Sequence, residues 1–322
     1  MWKNRNTMHI ERYSSRYEAL WNDFVAHSKN GTFLFDRHYM DYHADRFIDC
    51  SLLFFEKSKP VALLPANISE GVVFSHEGLT YGGIIAGRTL TARMAVDVLQ
   101  GAATYCRDRL RAHRMYYNPV PYIYQTYPAQ EDLYALFRMK ARHVGCGLST
   151  TVSLRQPLRF TTLRRRCVRK AVRESVTVEE SSTWADWEAF WEVLTVVLKR
   201  RHATLPVHTL AEILLLRGRF PDNIRLIVAR RGGNVVAGCV LYICTNAVHV
   251  QYIAAGEEGR AVGALDLLFC KVMESEICRD KEYFDFGIST EDNGRWLNDG
   301  LIFQKEGYGG RGVCYDHYLI EF

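Results

Sequence analysis

Ala255-Gly-Glu-Glu-Gly-Arg-Ala-Val-Gly-Ala264 is the stretch on which the fold turns. It joins an apolar run, Val248-His-Val-Gln-Tyr-Ile-Ala, to a helical pattern from Ala261 to about Arg279. In that pattern Leu265, Leu268, Phe269, Val272, Met273 and Ile277 share one face. Gly256, Gly259 and Gly263 allow close backbone approach, Arg260 supplies a cation, and unpaired amides at a helix start bind phosphate well. A plain strand-to-helix turn explains the same residues. Beyond the helix comes Tyr283-Phe-Asp-Phe-Gly, a buried strand with an acid inside it.

Working outward, Asn223 to Arg230 and Val235 to Ile243 flank the turn Arg231-Gly-Gly-Asn and read as a hairpin. The order is hairpin, strand, helix, strand, helix, strand. The first half repeats it, with strands Ser51 to Glu56 and Val61 to Pro65 around Lys57-Ser-Lys-Pro, then Gly78 to Ile85, a helix from Thr91 to Ala112, a strand at Met115, a helix from Gln130 to Arg142 and a strand from Leu148. A displacement of about 170 residues indicates a duplicated domain. The division expected is 1–155 and 156–322, with the join between Arg155 and Ser182. Ahead of the first hairpin stand a short strand at Met8, a helix after Ser15 and a helical stretch from Asp36 to Phe47. After the join, Trp184, Trp187, Phe190, Trp191 and Leu194 mark an amphipathic helix, followed by a second over Val207 to Leu216. The tryptophan stripe suits core packing or a ligand platform.

A chain of 322 residues exceeds one ordinary core, which agrees with two domains. No apolar run approaches a membrane span, and Met1-Trp-Lys-Asn-Arg lacks a signal core, so a cytoplasmic protein is expected. The nine cysteines are odd in number, scattered and without a Cys-x-x-Cys pair. They read as reduced, buried thiols, neither a disulfide framework nor a zinc site. The net charge of +5 is uneven: Arg159, Arg164, Arg165, Arg166, Arg169, Lys170 and Arg173 fall within fifteen residues. Such a run is either a solvated face or a grip on a phosphate-bearing partner.

Gly307-x-Gly309-x-x-Gly312 has the spacing of a dinucleotide fingerprint but precedes a strand, the reverse of the context that motif needs. Its role is a sharp turn into the last strand. His38, Asp41 and Asp45, with His43 nearby, would share a helical face, which a wet face with ion pairs explains better than a metal. No local signature singles out a nucleophile and base among eleven histidines.

The element order and the turn resemble the GNAT acyltransferase fold, and Arg260-Ala-Val-Gly-Ala resembles a degenerate form of its turn pattern. With the basic Leu163-Arg-Arg-Arg-Cys-Val-Arg-Lys-Ala, Tyr283-Phe-Asp-Phe-Gly and Phe303-Gln-Lys-Glu-Gly-Tyr-Gly, the whole resembles the FemAB-like, tandem-GNAT branch. The resemblance implies an α/β chain of two GNAT-like domains, each a mixed, mostly antiparallel sheet flanked by helices. It implies that Gly256, Gly259, Arg260, Ala261, Val262, Gly263 and Ala264 cradle the pyrophosphate of coenzyme A. The family's Phe-Lys-x-x-Phe/Trp-Gly pattern falls on Lys305, Tyr308 and Gly309, with Gln304 departing from it. The inserted helical arm of the staphylococcal-type bridge enzymes is missing. Gly87-Arg-Thr-Leu-Thr lacks the second glycine, so the first domain is expected to shape the acceptor site.

Acyl transfer to an amine needs a donor at the developing oxyanion and a route for the amine proton. Lys305 is expected in the electrostatic role. Asp285, a costly buried charge unless paired or functional, is a proton acceptor, a partner orienting a cation, or a bonded strand end. Tyr308 bonds substrate or packs. Glu291 and Asp292 face a cationic acceptor or solvent, while Gln251 and Tyr252 stand as substrate contacts. Arg166, Arg169 and Lys170 grip phosphates of the donor or of a nucleotide-linked acceptor. The activity expected is N-acyl transfer from acyl-CoA, without metal or DNA, to a small-molecule or lipid- or nucleotide-linked amine of the cell envelope or an amino sugar. Aminoacyl-tRNA as donor, and a binding module without chemistry, are the alternatives.

Overall fold

The computed structural model describes residues 8–322 and divides into two compact units. The first holds the chain up to Gly147 together with Thr290–Trp296 and Cys314–Phe322; the second holds Leu148–Ser289 and Leu297–Val313.

In the first unit, β1 (His9–Arg12), β2 (Leu52–Glu56), β3 (Lys59–Leu64) and Ile85–Ala86 form an antiparallel sheet in that order. The β2–β3 hairpin closes through Lys57 at φ 58°. A second set of strands centres on β4 (Arg114–Tyr117), which runs parallel to Val72–Phe74 and antiparallel to Tyr318–Glu321. Helix α1 (Ala92–Arg109) begins at Thr91, whose side chain accepts from the Met94 amide. It buries Ala95, Val98, Leu99, Ala102 and Cys106 against Leu52, Phe54, Leu64 and Met115. Each large side chain so buried contributes roughly 1.5–3 kcal/mol. Helix α2 (Glu131–Arg138) follows, and β5 (Arg142–Ser153) leads out of the unit.

The expected helix over 36–47 is broken. Asp36 caps a single turn, Arg37–Met40, and a 3-10 turn follows. The buried Arg37 guanidinium lies over the Tyr13 and Trp21 rings and pairs with Asp49 at 2.7 Å, which holds the segment to the core rather than to its own axis. His38 bonds Asp36 and Asp41 pairs with Arg37, so these are local ion pairs.

The second unit starts with α3 (Thr162–Arg173). Its sheet runs Thr177–Ser181, β6 (Ile224–Arg231), β7 (Asn234–Ile243), β8 (Ala247–Ala255), β9 (Tyr283–Ile288) and the end of β5. All neighbours are antiparallel except β8 and β9. Helix α4 (Trp184–His202) sets Phe190 over Gly238, where a Cβ would lie 2.6 Å from the ring. Ala237, Cys239 and Leu241 point to the other face, by the pleat, and pack on Leu268 and Phe269. Trp187 and Trp191 are buried and Trp184 is exposed, so the tryptophan stripe is largely core. Helix α5 (Leu210–Arg219) carries a capping box between Thr209 and Glu212. The long helix expected from Ala261 is in fact α6 (Glu257–Val262), a break at Gly263, α7 (Ala264–Met273) and a last turn, Glu276–Arg279. Helix α8 (Asp299–Glu306) and β10 (Arg311–Glu321) complete the chain, with Gly309 at φ 88° making the turn between them. Among the described residues no helix is long and apolar enough to cross a membrane.

Candidate active site

Strands β8 and β9 pair in parallel at only three positions, Ala247 with Tyr283, Val248 with Phe284 and His249 with Asp285. Beyond them β9 ends at Ile288, while β8 continues to Ala255 beside β7. Opposite β8, Val240 faces Tyr252 and Leu241 faces Val250, leaving Gln251 as the extra residue of a bulge. A bulge takes its extra residue out of the ladder, and here it does so where the parallel strands part. Gln251 Oε1 is buried without a hydrogen-bond partner.

Asp285, fully buried at 0% exposure, closes the paired segment. It accepts from Ser149 Oγ, from Thr151 Oγ1 at 2.8 Å and from His249 Nδ1 at 2.7 Å. Both hydroxyls come from β5, whose register with β9 shifts between Asp285 and Ile288. A carboxylate with three donors is compensated for its lost hydration. Accepting from Nδ1–H also fixes the histidine tautomer, making Nε2 the basic nitrogen. His249 is 9% exposed, and its ring edge lies 3.3 Å from where a Cβ on Gly287 would stand. Gly287 adopts φ 75°, so the backbone here favours glycine twice over.

Lys305, on α8 and 6% exposed, donates to Gly287 O and Ile288 O, both at 2.8 Å. Burial lowers its pKa to about 8, against the opposing pull of Asp285. Lys305 therefore caps the free end of β9, and the structure gathers it with Asp285 and His249 around Gly287. Tyr308 lies in the core, stacked on Phe286 at 5.3 Å and edge-on to Phe269. Its pKa is pushed up to about 12, chiefly by burial. Beside it Arg164 and Asp266 pair at 3.0 Å, both largely buried, and tie α3 to α7.

The glycine turn is tightly built. A Cβ on Gly259 would stand 2.3 Å from Val236 O, and Gly263, at φ 77°, presses on Cys167 O. Gly259, Val262, Gly263 and Ala264 are packing positions; Arg260 and Ala261 are exposed, and Arg260 bonds Ala255 O at 2.8 Å. Glu257 and Glu258 occupy the first turn of α6 and pair with Arg200 and Arg231, which offsets their charge at the helix start. Tyr252 is buried, bonded to His208 Nδ1 at 2.5 Å. Glu291 is exposed in the turn that groups with the first unit.

On α3, Arg166 and Lys170 are exposed. Arg169 joins Arg159 and Arg165 around a cavity of about 550 Å³ walled by Val152, Leu158, Phe160 and Met273. Neither the glycine turn nor His249, Asp285 or Lys305 lines it. The residues that sequence reasoning missed are His249, Ser149 and Thr151. The available signal was one polar residue at matching places in two apolar runs, His249 and Asp285, and it becomes a pair only once the register is known.

Residues 159–294 match the family described as Acetyltransferase (GNAT) domain. No curated protein sequence matches the chain. Among solved structures, FemX is similar over 98% of this chain and 97% of its own, at 10% identity and a TM-score of 0.71. The C-terminal domain of a putative lysylphosphatidylglycerol synthetase from Agrobacterium fabrum covers 81% of each chain at 13% identity and 0.57. A tandem GNAT protein from the clavulanic acid biosynthesis pathway covers 98% of each at 10% and 0.55. Residues 159–294 thus match a GNAT domain, and the chain shares the fold of FemX and of the tandem GNAT protein.

Proposed function

We propose that the second unit catalyses N-acyl transfer from acyl-CoA to a primary amine of a cell-envelope precursor or amino sugar. The observation that carries this reading is the His249–Asp285 pair, seated where β8 and β9 part. His249 Nε2 takes a proton from the incoming ammonium, and the freed nitrogen attacks the thioester carbonyl. The tetrahedral oxyanion forms beside the bulge at Gln251, whose main-chain N–H is the donor this chemistry needs. The C–S bond then breaks, the surplus proton on the attacking nitrogen passes to the leaving thiolate, and the amide and a free thiol remain. Lys305 adds positive charge at the same end of β9. The turn from Gly256 to Ala264 receives the pyrophosphate, while Arg166, Arg169 and Lys170 receive anionic groups of the acceptor. Tyr252, bonded to His208 Nδ1, is a further contact for the acceptor within the second unit.

The exposed basic face of α3 favours a second reading, with aminoacyl-tRNA as donor. With either donor the proposed reaction is a cytoplasmic one. Purified protein given acetyl- and longer acyl-CoAs with a panel of amines should release free thiol in proportion to amide formed. Binding of coenzyme A without thiol release with any amine would point to a ligand-binding module. Absence of both, with charged tRNA retained in a strongly salt-dependent way, would favour the second reading.

A further inference from the structure

The first unit holds a cluster with no part in the chemistry above. His143 and Cys146 on β5 meet Asp316 on β10, and the three ligand atoms lie within 4.8 Å of one another. His143 Nε2 stands 2.9 Å from Asp316 Oδ1. Cys314, two residues before Asp316 on β10, lies beside the Cys146 thiol. One nitrogen, one sulfur and one carboxylate oxygen therefore converge from two strand segments, with the Cys314 thiol alongside.

We propose that His143, Cys146 and Asp316 bind a zinc ion, with Cys314 as the fourth ligand. Zinc takes thiolate, imidazole and carboxylate ligands at about 2.0–2.3 Å in a tetrahedron, in which neighbouring donors stand about 3.3–3.8 Å apart. To reach that geometry the His143–Asp316 pair, at 2.9 Å, opens by a few tenths of an ångström, and any separation near the 4.8 Å limit contracts by about 1 Å. The donor set also selects the metal class, since thiolates discriminate against magnesium and calcium. Binding releases the thiol protons of Cys146 and Cys314 to solvent.

The strand segment is held in place before any ion arrives. Gly294, at φ 92°, lies so close to Cys146 that a Cβ would stand 1.8 Å from the Cys146 carbonyl oxygen. A Cβ on Gly145 would stand 2.9 Å from Asn293 O. The turn 290–296 thus rests directly on the ligand-bearing backbone. His317 does not compete, because its Nδ1 bonds Asn118 Oδ1 at 2.8 Å. Local spacing could not reveal this set, since the paired ligands sit near 143–146 and 314–316.

The test is a Co²⁺ titration of the full chain, reduced and stripped of metal. One equivalent should give a thiolate-to-cobalt charge-transfer band with tetrahedral visible absorption, and Zn²⁺ should abolish both. Cys146→Ser should remove the charge-transfer band or weaken Co²⁺ at least tenfold, and Asp316→Asn should weaken binding by a similar factor. His143→Ala changes a side chain 50% exposed, so it tests the site without endangering the fold. Cys270→Ser, outside the cluster, should leave the band intact. The proposal is overturned if Co²⁺ in excess gives no band, if the band survives both His143→Ala and Cys146→Ser, or if Cys146 and Cys314 are found joined as a disulfide that excludes metal.

Discussion

The two units share a motif and differ in how it ends. Each contains a short parallel pair: Val72–Phe74 beside Arg114–Tyr116 in the first, Ala247–His249 beside Tyr283–Asp285 in the second. In the first unit the pair stays closed. Ser75 N donates to Tyr116 O, Gly82 N donates to Asn118 O, and Gly82 bridges to Pro119. Tyr117 OH then donates to Asp132 while accepting from the Ile84 amide, so its polar centre is sealed by its own backbone. In the second unit the strands part after His249 and Asp285, with a bulge on one side and a left-handed glycine on the other. On the proposed mechanism the closed pair is scaffold and the open one is the site. The difference lies in a few residues after the pairing ends, not in the fold.

The largest expected effect tests the open end. His249→Ala or Asp285→Asn should lower thiol release about a hundredfold or more, the range of a lost general base. Tyr117→Phe, at the closed end, should leave turnover per folded molecule within about twofold. Equal losses from both would erase the distinction between site and scaffold.

Next in size is the closure itself. A Cβ on Gly82 would lie 1.4 Å from Ser75 O, so Gly82→Ala must displace backbone. Urea denaturation should show about 3 kcal/mol of lost stability. A loss under about 1 kcal/mol would mean that the first unit's pair can open without penalty.

The smallest effect concerns Lys305. Its pKa of about 8 lies below the ordinary lysine value because burial disfavours the charge. The cost of burying that charge is fully present below pH 8 and is relieved as pH rises from about 8 towards 10.5, where the folded state has shed a proton the unfolded chain still holds. If the ammonium serves the reaction, turnover falls as pH rises through about 8. In Lys305→Arg that limb should move beyond the measurable range, with roughly tenfold slower turnover. An unchanged pH profile in the variant would assign Lys305 to capping the strand end alone.

Much of this architecture was legible in advance because apolar periodicity and glycine punctuation report local physics. The hairpin at Arg231-Gly-Gly-Asn, with Gly232 at φ 54° and Gly233 at φ 86°, is legible because glycine alone takes such left-handed backbone without steric cost. The 36–47 segment misled because its helical spacing was outweighed by Arg37 turning inward to Asp49 and the Tyr13 and Trp21 rings. The break at Gly263 was signalled by its glycine, but the reason for it, contact with Cys167 on a helix about ninety residues earlier, was not.

By itself the sequence determined the α/β class, the order of the elements and the glycine turn, and it singled out Asp285 and Lys305 as candidates, since each is carried by local pattern or by a single costly residue. Only the tertiary structure supplied the partners: Ser149, Thr151 and His249 for Asp285, the β9 carbonyls for Lys305, and Asp316 for His143 and Cys146. Those pairings depend on strand register, and register is set by how whole faces pack, which no short stretch of residues encodes.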